Sequence, residues 1–333
     1  MLSGCNGLQA SRGKNEVEIE GNGGFAVSDG ETVYYFDRGY QRYGGPIRRV
    51  AADNPYGESE IIYEDTSGNL NLSKDGKLYF LSGDGISWIK PKEAVFAKVD
   101  LVEASCLENL VLSGDWIYFY SSDYEQAGEY PQGIYRVDVN TSAVELVVDG
   151  RESRAGYCGF KLFGDFLYCP MYGAEQEQGF GLMKFDINSG ESVFIIKFKD
   201  ALTNGDMTGF QITDKYIYCD LDYGFIKRFD LNGQSEEVIY TEEEERTISF
   251  LFTDGEYVYF RRYQDWLCDL YRAKIDGTGK EKIVAGAEHH WFEAVLSAGK
   301  IFVHFIDQTE TWEGESAGVY FVDRDGKNGF KLQ

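Results

Sequence analysis

Apolar residues recur along this chain as a short strand, a tight turn, and a second strand whose first two positions are a branched or long aliphatic followed by an aromatic. The pairs are Val33-Tyr34, Leu78-Tyr79, Ile117-Tyr118, Leu167-Tyr168, Ile217-Tyr218, Val258-Tyr259 and Ile301-Phe302, separated by about 40 to 50 residues. That interval is the period of four-stranded propeller blades. The second strand, as in Val33-Tyr34-Tyr35-Phe36 or Tyr257-Val258-Tyr259-Phe260, is apolar on consecutive residues and does not alternate. A strand reads this way when both of its faces press on other protein, as in a sheet sandwiched between two neighbours. The repeated aromatics are therefore expected to pack blade against blade.

The rest of the repeat supplies four strands. Asp29-Gly30, Asp75-Gly76, Gly114-Asp115, Gly164-Asp165, Asp254-Gly255 and Ala298-Gly299 precede the pairs and suit the positive φ of tight hairpins. A third strand opens after a longer loop, as in Gly133 to Asp138, Gly181 to Asp186, Asp269 to Arg272 and Gly318 to Asp323. It ends at Ser189-Gly190, Asn232-Gly233, Asp276-Gly277 or Asp325-Gly326, and an outer strand such as Glu237-Val238-Ile239-Tyr240 follows. No amphipathic helix interrupts the series. The reading is an all-β, seven-bladed β-propeller of four-stranded antiparallel blades, with six blades the alternative.

The blade grammar of strand, Asp-Gly, aliphatic-Tyr-Phe, Leu-Tyr-Arg and Asp-Gly resembles the uncharacterised propeller domains of lipoproteins from Gram-positive gut bacteria. These are similar to TolB-like propellers and to the propeller of low-density-lipoprotein receptors. The resemblance runs from about Gly24 to Gln333 and implies a fold without an activity. The receptor signature Tyr-Trp-Thr-Asp is absent, and those relatives have six blades, so their ligands do not carry over.

Residues 24–333 are read as one propeller domain, and residues 1–23 as a tether. Leu2-Ser3-Gly4-Cys5 looks like a bacterial lipobox, which would place diacylglycerol on Cys5 and the protein on the outer face of the cell membrane. Asn6 to Asn15 has the polar composition of a linker. Glu16-Val17-Glu18-Ile19-Glu20 alternates like a strand and is a candidate for closing the ring at the last blade.

Composition narrows the partners. Asp and Glu number 56 against 32 Lys and Arg, a formal charge of −24, which repels phosphate backbones and anionic lipid. Nucleic acid is excluded as a partner, no run of 18 apolar residues offers a spanning helix, and any membrane association is through Cys5. A monomer is expected. Cys106, Cys158, Cys169, Cys219 and Cys268 lack Cys-x-x-Cys spacing. Cys169 and Cys219 read as small core residues on neighbouring blades, and Cys158 with Cys169 could meet across a hairpin.

Candidate chemistry lies in the long loops, which leave the face opposite the tight turns. They include Asp220 to Tyr223 and Arg261-Arg262 to Trp266, and they carry Tyr40, Tyr43, Tyr124, Tyr130, Tyr172, Asp222, Tyr223, Tyr263, Trp266 and Trp312, aromatics set beside carboxylates and amides. Such surfaces suit sugar rings and protein partners alike; the competing reading folds the aromatics back over the blade edges. The three histidines, His289, His290 and His304, are too few for a His-rich metal centre. Asp220-x-Asp222 lacks the later ligands of a calcium loop, the run Glu242 to Glu245 reads as a solvated loop, and no cofactor motif is present. The expected function is a cell-surface module binding a glycan or an extracellular protein. The alternative is a propeller glycoside hydrolase or lyase whose carboxylates come from different blades.

Overall fold

The computed structural model describes residues 22–37, 45–66, 68–93, 99–104, 106–123, 130–150, 159–172, 180–198, 207, 209–221, 224–242, 247–264, 267–286, 290–307 and 318–332. Twenty-eight strands form seven four-stranded antiparallel sheets, each ordered as the chain runs. The first blade is β1 (Ala26–Ser28), β2 (Thr32–Phe36), β3 (Gly45–Ala51) and β4 (Glu60–Thr66). The second is β5 (Gly68–Leu72), β6 (Leu78–Ser82), β7 (Gly85–Ile89) and β8 (Val99–Glu103); the third is β9 (Leu107–Ser113), β10 (Trp116–Ser121), β11 (Gly133–Asp138) and β12 (Val144–Asp149). The fourth comprises β13 (Lys161–Phe163), β14 (Phe166–Tyr172), β15 (Phe180–Asp186) and β16 (Ser192–Phe198), the fifth β17 (Phe210–Ile212), β18 (Tyr216–Leu221), β19 (Phe225–Asp230) and β20 (Glu237–Thr241). In the sixth are β21 (Ile248–Thr253), β22 (Tyr257–Gln264), β23 (Leu267–Lys274) and β24 (Glu281–Val284), and in the seventh β25 (His290–Ser297), β26 (Lys300–Asp307), β27 (Gly318–Val322) and β28 (Phe330–Lys331).

The first strands make the hub. β1 touches β5, β5 touches β9, and so on through β13, β17 and β21 to β25, which touches β1 again. Seven blades are thus a closed ring. The seams between first strands are hydrogen-bonded as well as packed. Leu70 O accepts from Gly23 N at 2.9 Å and Leu70 N donates to Gly24 O at 2.7 Å, and Asn71 accepts from Leu112 N at 3.0 Å while donating to Leu110 O at 3.0 Å. Gln211 Oε1 accepts from Thr253 N at 2.6 Å in the same way.

All fourteen residues of the repeated pairs are at most 4% exposed, as strands pressed on both faces require. Tyrosine rather than phenylalanine has a local reason in two blades. Tyr259 Oη donates to Asp254 Oδ2 at 2.9 Å, and Tyr34 Oη approaches Asp29 Oδ2 at 3.4 Å. The other oxygen of each aspartate accepts the backbone N–H groups of Glu256 and Tyr257, or of Glu31 and Thr32, so one carboxylate closes the turn and holds the ring. Toward the rim a second device recurs. Arg49, Arg136, Arg228 and Arg272 on third strands pair with Glu60, Glu145, Glu237 and Glu281 on fourth strands. Three of these guanidinium groups also lie over Trp116, Tyr216 and Tyr257, at 4.2, 4.6 and 4.2 Å from the ring centres.

The last blade has its own outer strand, β28, paired with β27. Closure comes from packing: Phe302, Val319 and Phe321 share one core with Phe25, Val27 and Tyr34 of the first blade. Tyr56, in the connection between β3 and β4, adds its ring to Phe321 and Phe330 at 5.3 and 5.2 Å. The segment Glu16 to Glu20, expected as a closing strand, lies outside the described residues. No helix among them is long and apolar enough to cross a membrane.

Two predictions follow from the turns. Gly233 has φ +75°, and a Cβ on it would stand 1.8 Å from Ile195 O on the outer strand of the preceding blade. Gly255 has φ +90° with open space around it. Gly255→Ala should therefore cost about 1 kcal/mol through its left-handed backbone alone, and Gly233→Ala about 2–4 kcal/mol as seam and backbone strain combine. Equal losses in equilibrium denaturant unfolding would contradict the close approach. For pH, Asp138 and Asp230 are held below the ordinary value of 3.8 by backbone N–H groups of Asn140 and Thr141, and of Gln234 and Asn232. The Thr278 hydroxyl and N–H do the same for Asp276. Folded values below the unfolded one stabilise the fold above the unfolded value, and that contribution is lost as pH falls through the folded values. Thermal midpoints measured against pH should be level above about pH 5 and drop below about pH 4.

Candidate functional site

Strand direction assigns the two faces of the disc. Turns between first and second strands, and between third and fourth, leave one face; connections between second and third strands, and between blades, leave the other. The second blade reverses the expected lengths. β6 and β7 are joined only by Gly83 and Asp84, while the long connection of that blade, between β7 and β8, leaves the short-turn face. Only residues 265 and 266 separate β22 from β23, and only 222–224 separate β18 from β19, so the crown of long loops is interrupted at the second and sixth blades and low at the fifth.

At the long-loop end of each second strand, three positions after the repeated aliphatic, the seven blades carry Phe36, Leu81, Tyr120, Pro170, Asp220, Arg261 and His304. Their equivalence is shown by their strand partners, Ile47, Ile86, Ile134, Leu182, Ile226, Leu270 and Val319, all fully buried. Four blades fill the position with apolar or aromatic groups. The last three fill it with ionisable side chains that are nonetheless buried, at 2, 7 and 0% exposure.

Each of these polar residues faces the next blade. Asp220 accepts Gly209 N at 3.0 Å beside its own first strand and Phe250 N at 2.8 Å on β21. Arg261 donates to Ser249 Oγ at 2.9 Å on β21 and to Phe292 O at 3.0 Å on β25. His304 stands 5.5 Å from the Phe25 ring and 6.4 Å from Phe36, across the seam that closes the ring. Charged groups survive burial here because backbone partners replace water for Asp220 and Arg261. Read from sequence, Asp220, Arg261 and Arg262 belong to long loops. In the structure they are strand residues, because β18 and β22 extend past the aromatic pair. Setting the repeats in register on that pair places all seven residues in one column, a signal available without coordinates.

Of the loop residues expected to bind, three fall among the described residues. Tyr130 is half-buried, edge-on to Phe119 at 5.9 Å and Tyr135 at 5.4 Å. Tyr263 belongs to β22, opposite Cys268, with the Arg261 guanidinium 5.9 Å from its ring centre. Tyr172 ends β14, its backbone paired with Phe180. Tyr40, Tyr43, Tyr124, Asp222, Tyr223, Trp266, Trp312 and the lipidation candidate Cys5 lie outside the described residues, as do His289 and Cys158. Cys169 and Cys219 are buried on neighbouring blades as expected, and Cys106 is exposed. Burial pushes the Cys268 thiol up to about 12. No group of three or more His, Cys, Asp or Glu side chains that could hold a metal occurs among the described residues.

No protein-family model matches the chain, and no curated protein matches its sequence. Solved structures do match its shape. An oligogalacturonate lyase in complex with manganese is 14% identical with a TM-score of 0.58, over 90% of this chain and 82% of that one. The extracellular domain of a putative one-component system from B. thetaiotaomicron is 11% identical, TM-score 0.61, over 92% of this chain and 39% of that one. TolB from Acinetobacter baumannii is 12% identical, TM-score 0.51, over 79% and 66%. A puromycin hydrolase matches at 12% identity and TM-score 0.65, and this chain spans about half of its length, 53%. At these identities the likeness is one of fold.

Asp220 is the sharpest test of the polar column. Removing its carboxylate strands two backbone N–H groups, each costing about 1–3 kcal/mol when buried without an acceptor. Asp220→Ala should lower unfolding free energy by about 2–5 kcal/mol, and Asp220→Asn, which keeps one carbonyl acceptor, by less. Urea titrations placing the Ala variant within about 0.5 kcal/mol of the parent would remove the bridging role.

Proposed function

We propose that the protein is an extracytoplasmic binding module that recognises a glycan or an extracellular protein on its long-loop face, held to the cell surface by a lipid on Cys5. One observation carries this reading. The repeated aromatics and the first strands are consumed in packing the ring, whereas Tyr40, Tyr43, Tyr124, Tyr223, Trp266 and Trp312 fall in connections between second and third strands, which all leave one face. Exposed tyrosine, tryptophan and carboxylate together suit stacking on sugar rings and hydrogen bonding to hydroxyl groups, and the same set makes protein hot spots. The fold's occurrence in an extracellular domain from B. thetaiotaomicron and in TolB supports an address outside the cytoplasm.

A lyase or hydrolase working with carboxylates from separate blades is the second reading, and the fold's occurrence in an oligogalacturonate lyase is what favours it. Against it stands Asp220, the buried carboxylate of the polar column, whose two oxygens already accept backbone N–H groups. A base needs an oxygen directed at substrate.

Binding is tested by screening the protein on a glycan array and against surface-protein extracts, then measuring each hit with Trp266→Ala/Trp312→Ala. Affinity should fall at least about tenfold, the effect of losing about 1.4 kcal/mol of aromatic contact. A rim variant, Val238→Ser, should bind as the parent does. Unchanged affinity in the double variant, or turnover of an array sugar by the parent protein, overturns the reading.

A further inference from the structure

Glu242 opens the acidic run that reads from sequence as a solvated loop, yet its side chain is only 3% exposed. It follows β20 in the seam between the fifth and sixth blades. Tyr240 Oη donates to its Oε2 at 3.0 Å, Arg262 Nε reaches the same oxygen at 3.0 Å, and Arg262 Nη2 meets Oε1 at 3.5 Å. Lys280 Nζ then bonds both oxygens, at 3.2 and 3.1 Å. Burial alone would raise the Glu242 carboxyl; the hydrogen bonds of Lys280 and Tyr240 and the charges of Lys280 and Arg262 outweigh it and hold the group below its ordinary value.

Arg262 by itself balances the charge of Glu242, so Lys280 is a second cation in a seam that already has one. Two aromatic faces account for it. The ammonium is 5.6 Å from the ring centre of Tyr240 and 5.5 Å from that of Tyr271. Tyr271 also faces the Arg262 guanidinium at 5.4 Å and the Lys282 ammonium at 5.7 Å, the latter paired with Asp269 at 2.5 Å. Two π faces within about 6 Å and a desolvated carboxylate form the arrangement by which proteins take up organic ammonium groups. The Lys280 side chain is one-third exposed, and Thr278 and Gly279 before it are exposed. Its ammonium therefore reaches the cage from the solvent side.

We propose that Glu242, Tyr240 and Tyr271 form a binding site for a primary alkylammonium group, filled by the chain's own Lys280 and accessible to an external amine once Lys280 is removed. The site shares no residue with the loop aromatics proposed to bind the external ligand, so either reading can fail without the other. Its test is calorimetric titration of folded Lys280→Ala with n-butylammonium chloride, alongside the parent protein, sodium chloride at equal ionic strength, and n-butanol. The variant should bind butylammonium saturably and at least about tenfold more tightly than the parent, and Lys280→Ala/Glu242→Gln should lose that binding. Where the alanine variant fails to fold, Lys280→Ser is measured in the same way. Equal response of variant and parent, an effect reproduced by butanol or sodium, or binding that survives Glu242→Gln would each overturn the site.

Discussion

Everything in this molecule depends on each sheet being pressed from both sides. A ring of sheets has no free face in its interior, so the second strand of every blade must be apolar at consecutive positions, and water is excluded from both. That single requirement dictates the aliphatic-aromatic pairs, the choice of Tyr259 and Tyr34 as rings whose hydroxyls can still find the turn aspartates, and the need for glycine at Gly233 where a turn meets the carbonyl of the neighbouring blade. At the seams Asn71, Asp220 and Arg261 are each hydrogen-bonded to backbone of the neighbouring blade, which offsets their loss of water.

The ring is not uniform around its axis. At the long-loop end of the second strands, Phe36, Leu81, Tyr120 and Pro170 make contacts that tolerate small changes of angle, because dispersion has little directionality. Asp220 and Arg261 fix donor and acceptor geometry between adjacent first strands. The blades from the fifth to the seventh are consequently held in a more strictly defined relative orientation than hydrophobic contact alone imposes. The Glu242 cluster adds a further fixed point farther out in the seam between the fifth and sixth blades.

The blade count and strand order were legible because two-sided burial leaves consecutive apolar residues, a mark that survives without an alignment. The turns were legible for a similar reason, since positive φ selects glycine, as at Gly30 and Gly255, and the aspartate before each accepts the N–H groups of its turn. The polar column was not, because Asp220, Arg261 and His304 sit where apolar strand gives way to hydrophilic sequence, and a buried salt or hydrogen-bonding role leaves no local periodicity. Glu242 was hidden likewise by the acidic residues after it. The reversed loop lengths of the second blade escaped notice although Ser82-Gly83-Asp84-Gly85 has turn chemistry, because the repeat grammar placed a long loop there.

The seam between the last and first blades also has a history in time. Phe25 and His304, which meet there, come from opposite ends of the chain, and no exchanged strand joins their sheets among the described residues. Because loop-closure entropy rises only logarithmically with length, joining such distant segments adds little more than joining any two remote ones. Its effect falls instead on rate, since contacts far apart in sequence form slowly. Neighbouring blades can assemble from segments tens of residues apart, whereas the circle is completed only when its first and last blades meet, so sequence separation predicts this seam to be the last to form.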